Sequence, residues 1–330
     1  MKFLRNKTIL ITGGTGSFGY AAVKYLLKYC SLKKIIIFSR DENKQFEMQK
    51  SFKENKNIRF FLGDVRDKER LVMALKNVDF VIHAAAQKHV PAAEYNPFEC
   101  IKTNVYGSQQ VISASIERGV KKVVALSTDK ACNPVNLYGA TKLCSEKLFV
   151  NANQLAGPNE TRFSLVRYGN VIASRGSVIP FFKELSRTKQ TLPLTHNEMT
   201  RFFITLSDAV NFVIDSMNEM KGGEIFIPKM NSIYIRDIIN TIDNKAKIKV
   251  TGLRAGEKIH EILCSQDETS LLHEQKKSYI IYPHYFFKNK QNKAKGKKVK
   301  SNFIYESKSK MCLDKKKIIQ QIKKSKVLQK

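Results

Sequence analysis

The chain has 330 residues, 42% of them hydrophobic, six cysteines and a formal net charge of +29. This length and apolar content allow a sizeable buried core and exclude a mainly disordered polymer. Cys30, Cys100, Cys132, Cys144, Cys264 and Cys312 form no C-x-x-C pair, which argues against a zinc site or disulfide framework and for reduced thiols in a cytoplasm.

Much of the charge sits at the end. Between Pro283 and Lys330 there are 16 lysines against Glu306 and Asp314, which reads as a solvated lysine-rich tail. No apolar run reaches the ~18 residues of a membrane span, and no signal-peptide pattern opens the chain. Charge without interleaved aromatics does not point to nucleic acid.

In chain order, "KTILIT" (7–12) is a first strand, followed by "GGTGSFG" and the helical "YAAVKYLLKY". Further apolar runs are expected as strands at 33–39, 58–64, 78–86, 121–128 and 162–171, each after helix-like sequence. Strands alternating with helices predict an α/β fold with a Rossmann-type, doubly wound parallel sheet. Beyond it lies a mixed region. A helix is expected at 206–217 and a strand at 224–229, while "SIYIRDIINTI" and "GEKIHEIL" read as short helices. The reading divides the chain into a dinucleotide domain (1–170, with 200–228 returning to it), a smaller substrate-binding lobe (171–282) and the tail (283–330).

Thr12, Gly13, Gly16 and Gly19 form T-G-x-x-G-x-x-G between the first strand and first helix. That placement predicts a dinucleotide site, with the pyrophosphate at the helix N-terminus. The second strand ends "FSRDE". Ser39 and Arg40, with Lys44 nearby, suit a ribose 2′-phosphate, so NADP is favoured over NAD, and Asp41 and Glu42 are expected to begin the next helix. Asp64 is placed to reach the adenine amine. Ser17, Phe18, Val65, Ala84 and Ala85 are expected along the same cleft.

"STDKACNPVNLYGATK" (127–142) gathers Thr128, Asp129, Lys130, Tyr138 and Lys142 after the fifth strand. Tyr138 and Lys142, at i and i+4 of a helix, share a face. A lysine ammonium there, with the positive nicotinamide, would lower the phenol's pKa and make it a base for a substrate hydroxyl, to which Thr128 could hydrogen-bond. His83, His89 and His196 lack metal-ligand spacing, and no metal is expected.

Seven runs carry a family resemblance across roughly residues 5 to 283: "ILITGGTGSFG", "AAAQKHVPAAEYNP", "NVYGSQQVI", "STDKACNPVNLYGATKLCSEKLF", "VRYGNVIASRGSVIPFF", "MTRFFITL" and "GLRAGEKIHEIL". The chain resembles the extended short-chain dehydrogenase/reductases, and within them the inverting UDP-N-acetylglucosamine 4,6-dehydratases of pseudaminic acid synthesis. The T-D-K run before Y-G-A-T-K is its most specific element. The resemblance implies oxidation at C4 of the sugar, loss of water across C5–C6, reduction at C6 and inversion at C5. It assigns Lys130 as the base at C5 and Asp129 as the acid at the C6 hydroxyl; burial with Lys142 and the cationic nicotinamide nearby would hold that lysine neutral. It assigns Arg201 and Arg254 to the diphosphate, Glu257 to a ribose hydroxyl or the arginine, and Lys88 and Asn170 to the same cleft. It also implies a homo-oligomer, with a hexamer as one form, paired through helices at 97–118 and 137–155. A retaining or bifunctional dehydratase/5-epimerase, a UDP-sugar 4-epimerase and a basic non-enzymatic nucleic-acid binder remain the alternatives.

Overall fold

The computed structural model describes residues 1–325 apart from Glu54, Pro158, Asn159, Ala173, Arg175, Lys189, Gln190 and 289–291. Residues 289–291 and 326–330 of the expected tail therefore lie outside the described residues.

The first half alternates strand and helix: β1 (Thr8–Thr12), α1 (Ser17–Tyr29), β2 (Lys34–Ser39), α2 (Glu42–Ser51), β3 (Ile58–Leu62), α3 (Lys68–Ala74) and β4 (Phe80–His83). Short helices α4 (Val90–Tyr95) and α5 (Pro97–Ile101) lead through a π-helical turn (Lys102–Tyr106) into α6 (Gly107–Glu117). Then come β5 (Lys122–Thr128), a 3₁₀ turn (Asp129–Ala131), α7 (Leu137–Leu155) and β6 (Arg162–Tyr168). Strands β1 and β2 are buried almost throughout. That burial explains their continuous Ile/Leu/Phe runs, as both faces are covered by helices.

The second half runs β7 (Asn170–Val171), α8 (Val178–Arg187), β8 (Leu192–Leu194), β9 (Thr200–Ile204), α9 (Leu206–Glu219) and β10 (Ile225–Pro228). It continues β11 (Asn231–Tyr234), α10 (Ile235–Ile242), β12 (Ile248–Val250), β13 (Ile262–Cys264), β14 (Leu272–Glu274), β15 (Ser278–Ile281), β16 (Lys297–Lys298), β17 (Tyr305–Glu306) and α11 (Lys315–Lys324).

The main sheet has the order β16-β14-β15-β10-β6-β5-β4-β1-β2-β3. From β3 to β10 every pairing is parallel, and β15, β14 and β16 extend the edge antiparallel. β1 lies between β2 and β4, so the winding reverses beside it, and a crevice opens at the carboxyl ends of these strands. This is the expected Rossmann-type architecture. The smaller lobe holds the sheet β11-β9-β7, the pair β12-β8 and helices α8, α10 and α11 around a second core that includes Ile179, Phe182, Phe203 and Ile239.

Three expectations need correction. "GEKIHEIL" is not a helix: it is a turn followed by β13. The "SIY" of "SIYIRDIINTI" is strand β11, with the helix starting only at Ile235. The segment after 283 is not simply solvated. Tyr305 is buried in the main core, Ile318 and Ile322 are buried in the lobe's core, and β17 pairs with β13. Its described lysines stay at the surface while Ile318 and Ile322, one turn apart on α11, face inward.

Candidate active site

The crevice is a cleft of about 940 Å³ running from the glycine loop to the start of α7. At one end Gly13, Gly16, Ser17, Phe18 and Gly19 line it. Gly13 has φ 62°, and a Cβ there would lie 2.9 Å from the backbone of Ala85, so the turn closes only on glycine. α1 starts behind Gly16 with no side-chain cap, which leaves its N-terminal peptide groups and dipole for an anion in the cleft. Ala84, Ala85 and Val65 form apolar wall. These residues fit a dinucleotide: phosphates at the start of α1 and flat rings against the small side chains.

Thr12 does not line the cleft. It is fully buried, 2.8 Å from Nδ1 of His83, and its hydroxyl accepts the N–H groups of Ala84 and Ala85. It ties β1 to the loop after β4 and so fixes the wall from behind. Ser39, in the lining, is 2.8 Å from the hydroxyl of Thr15. Arg40 is exposed at the cleft rim, 3.7 Å from Asp64. Asp41 caps α2 by accepting the N–H of Lys44, and its carboxylate also pairs with the Lys44 ammonium. Burial raises the Asp64 carboxyl, but the hydrogen bonds of Arg66 and the charges of Arg66 and Arg40 outweigh it and hold Asp64 below its ordinary pKa.

At the other end the structure brings together Thr128, Lys130, Tyr138 and Lys142. Asn136 caps α7, so Tyr138 and Lys142 fall on its first turns, both buried. A Cβ on Gly139 would sit 2.3 Å from the carbonyl oxygen of Lys130. Glycine there lets α7 press directly on the 129–131 turn and sets Tyr138 beside Lys130.

The electrostatics differ from expectation. Lys142 donates to the carbonyl of Leu126 at 2.7 Å, and burial pushes its pKa down to about 8. Burial pushes Tyr138 up to about 12, opposed by the charge of Lys130 and a hydrogen bond with Thr128. The charge of Lys130 thus acts on the phenol and works against that burial. Lys130 itself lies 2.9 Å from Asp129 and 3.3 Å from Glu261. Burial disfavours its ammonium, yet the two carboxylates outweigh that and raise its pKa above the ordinary value. Burial alone therefore does not hold this lysine neutral. Asp129 sits fully buried behind the cleft wall. Its Oδ1 accepts from Thr128 and Lys130, while Oδ2 is buried without a hydrogen-bond partner among the described residues.

Lys88 and Asn170 also line the cleft. Arg201 does not: it is buried and donates to the carbonyls of Thr200, Lys258 and Ile259. Arg254 is exposed, with its backbone N–H on Glu257, and neither residue belongs to the cleft lining. Sequence reasoning missed Glu261, because its run read as a helix and Glu257 took the acidic role. It also missed the buried support behind β5 and β6. There Arg167 pairs with Glu146 at 2.6 Å and Glu268 at 2.8 Å, and Ser127 donates to Glu146. No group of three or more His, Cys, Asp or Glu side chains is placed to hold a metal ion among the described residues.

Comparison with known proteins agrees with this geometry. The chain is 57% identical over 309 residues to the UDP-N-acetylglucosamine 4,6-dehydratase (inverting) of Campylobacter jejuni subsp. jejuni, covering 91% of this chain and 92% of that one. It is 41% identical over 283 residues to the UDP-glucose 4-epimerase of Rickettsia conorii, covering 84% and 83%. The X-ray structure of Pen from Bacillus thuringiensis superposes with a TM-score of 0.89 at 38% identity, covering 98% of this chain and 99% of that one. The family model for polysaccharide biosynthesis proteins matches residues 9–283, and the chain thus belongs to that family of extended short-chain dehydrogenase/reductases.

Proposed function

We propose that this chain is an inverting UDP-N-acetylglucosamine 4,6-dehydratase that uses NADP and supplies a 4-keto-6-deoxy sugar for pseudaminic acid or another surface glycan. The observation that carries the reading is Lys130 in the cleft wall, 2.9 Å from the carboxylate of Asp129 and close enough to Tyr138 for its charge to act on the phenol. A 4-epimerase needs no base at C5, whereas elimination of water needs one there and an acid at the C6 oxygen. The 57% identity to a protein of that name supports the same choice over the epimerase.

When bound, the dinucleotide supplies reversible oxidation at C4 and reduction at C6. Arg40 at the end of β2, with Asp41 engaged as a helix cap, supports the 2′-phosphorylated form. Tyr138 takes the C4 hydroxyl proton while Thr128 orients that oxygen. The C4 ketone then acidifies C5–H.

Lys130 and Asp129 already hold the one proton this step requires. As ammonium and carboxylate they form the resting pair. Transfer of one proton across their 2.9 Å contact turns them into amine and carboxylic acid, a base for C5 and an acid for the departing hydroxyl. The wall position of Lys130 lets it reach C5, and Asp129, buried behind the wall, passes its proton to the departing hydroxyl through the hydroxyl of Thr128, which lines the cleft 3.0 Å away. A proton from water on the opposite face then returns to C5 and gives inversion, and Tyr138 releases the proton it took, so every group ends in its starting state.

The exposed side chains of Phe98, Ile101 and Tyr106 mark the face through which we expect copies to pair. Among the described residues no helix is long and apolar enough to cross a membrane. From the nucleotide-sugar substrate we infer a cytoplasmic enzyme.

The test is incubation of the purified protein with UDP-N-acetylglucosamine and no added cofactor, followed by NMR and mass analysis. The expected product has lost one water, carries a keto group at C4 and has inverted C5. Conversion to a C4 epimer of unchanged mass would establish the epimerase instead. Salt-steep nucleic-acid binding with no turnover would establish the non-enzymatic alternative.

A further inference from the structure

Behind Lys130 lies a buried charge cluster drawn from distant parts of the chain. Asp129 belongs to the same turn as Lys130, Arg201 comes from β9, and Lys258 and Glu261 come from the stretch leading into β13. Glu261 is 2% exposed. One carboxylate oxygen faces Lys130 at 3.3 Å and Arg201 at 3.7 Å. The other is 3.8 Å from Lys258 and has no hydrogen-bond partner among the described residues. The backbone holds this acid in place. Its N–H donates to the hydroxyl of Ser307 at 2.9 Å, and Arg201 fastens the same loop through the carbonyls of Lys258 and Ile259.

A buried carboxylate is costly unless it has a purpose or a full set of partners. Here the cluster contains three cations, Lys130, Arg201 and Lys258, against two carboxylates, Asp129 and Glu261. When Lys130 passes its proton to Asp129, the cluster keeps a single excess positive charge, with Arg201 and Lys258 then facing Glu261 alone. Without Glu261 the cluster would carry two charges in excess while Lys130 is an ammonium, and the proton would leave more readily.

We propose that Glu261 is a positioning residue for the reaction: pinned by Arg201, Lys258 and Ser307, it aims Lys130 and governs how readily that side chain parts with its proton. The proposal rests on the dehydratase reading for its catalytic meaning, but the contact itself can be tested without turnover.

The other charged and titratable groups facing Lys130 are Asp129 from its own turn, Tyr138 from α7 and Arg201 from β9. All remain in Glu261→Gln, which keeps the side chain's shape and removes its charge. The experiment uses the full chain with ¹³C at the lysine ε-carbons, the Lys130 signal being identified by its loss in Lys130→Met.

Losing an opposite charge at this distance lowers a lysine's titration midpoint by about one to three pH units. The expected result is such a fall for Lys130 in Glu261→Gln, with kcat reduced, its alkaline limb moved to lower pH, and KM for UDP-N-acetylglucosamine near the wild-type value. Glu261→Asp keeps the charge at a shorter reach and gives a smaller fall of the same sign in both readouts. An unmoved Lys130 midpoint, or a raised KM with kcat intact, overturns the proposal. If Glu261→Gln fails to fold, Glu261→Asp carries the test, since its shorter reach must give a smaller shift of the same sign. Failure of the dehydratase reading would show separately, as wild-type protein that releases no water from the sugar.

Discussion

At the scale of single residues, burial and charge divide the labour between two lysines of one cleft. Lys142 has lost its solvent and gained a carbonyl and the weaker pull of Glu146, so its pKa falls to about 8; Lys130 has gained two carboxylates, so its pKa rises. The first has a consequence for stability. An unfolded lysine titrates near ~10.4. Between about pH 8 and that value the unfolded chain binds more protons at this position than the folded one, so stability rises with pH across the window. The Tyr138 phenol, raised to about 12, works the other way but only above its unfolded value of ~10. Lys142→Met is therefore expected to flatten the rise between pH 8 and pH 10, by roughly 2 kcal/mol in all. Urea midpoints of both proteins across that range check it. Thr128, Asp129, Lys130, Tyr138 and Lys142 were legible as a group because they are close in sequence. Their protonation was not, because Glu261 reaches Lys130 only through the fold.

At the scale of elements, the site depends on how closely α7 approaches the turn that follows β5. Gly139 permits that approach, since a methyl group would fall 2.3 Å from the Lys130 carbonyl. Gly139→Ala is expected to push the turn and helix apart. We expect it to cost about 1–3 kcal/mol of stability from overpacking and to lower kcat at least about tenfold through misplacement of Lys130 against Tyr138. Thermal unfolding and steady-state kinetics check the two effects separately. The parallel strands were legible because double-sided burial leaves continuous apolar runs, as in "ILIT" and "IIIFS". β13, β14 and β17 were not, because two or three residues are too few for any periodicity to declare itself. The expected helix across "GEKIHEIL" failed for the same reason: its apolar spacing fits one helical turn, and pairing with β17 decides otherwise.

At the scale of the whole molecule, the lysine-rich end is a structural part of the enzyme. Its composition is that of a tail, yet Tyr305, Ile318 and Ile322 are buried, and Ser307 lies 2.7 Å from Thr200 while accepting the N–H of Glu261. Net charge concealed this, because a surface can be lysine-rich while a few inward side chains do the anchoring. Ile322→Ala is expected to cost about 2–5 kcal/mol, the loss of a fully buried isoleucine from the lobe's core. Ser307→Ala is expected to cost about 1–3 kcal/mol by stranding a buried donor, and also to reduce kcat, which Ile322→Ala need not do. Chemical denaturation and turnover measured on both variants separate anchoring from tuning.

The order in which these parts occur along the chain has a consequence for biosynthesis. The glycine loop and β1 to β5 leave the ribosome early, whereas the hydroxyl that fixes Glu261 belongs to residue 307. A nascent polypeptide can thus assemble its nucleotide crevice while Glu261, the counter-charge of Lys130, is still unanchored. On the proposed role of Lys130, competence for dehydration then waits for a later-made stretch, and a product terminated before residue 307 would hold the dinucleotide without converting the sugar.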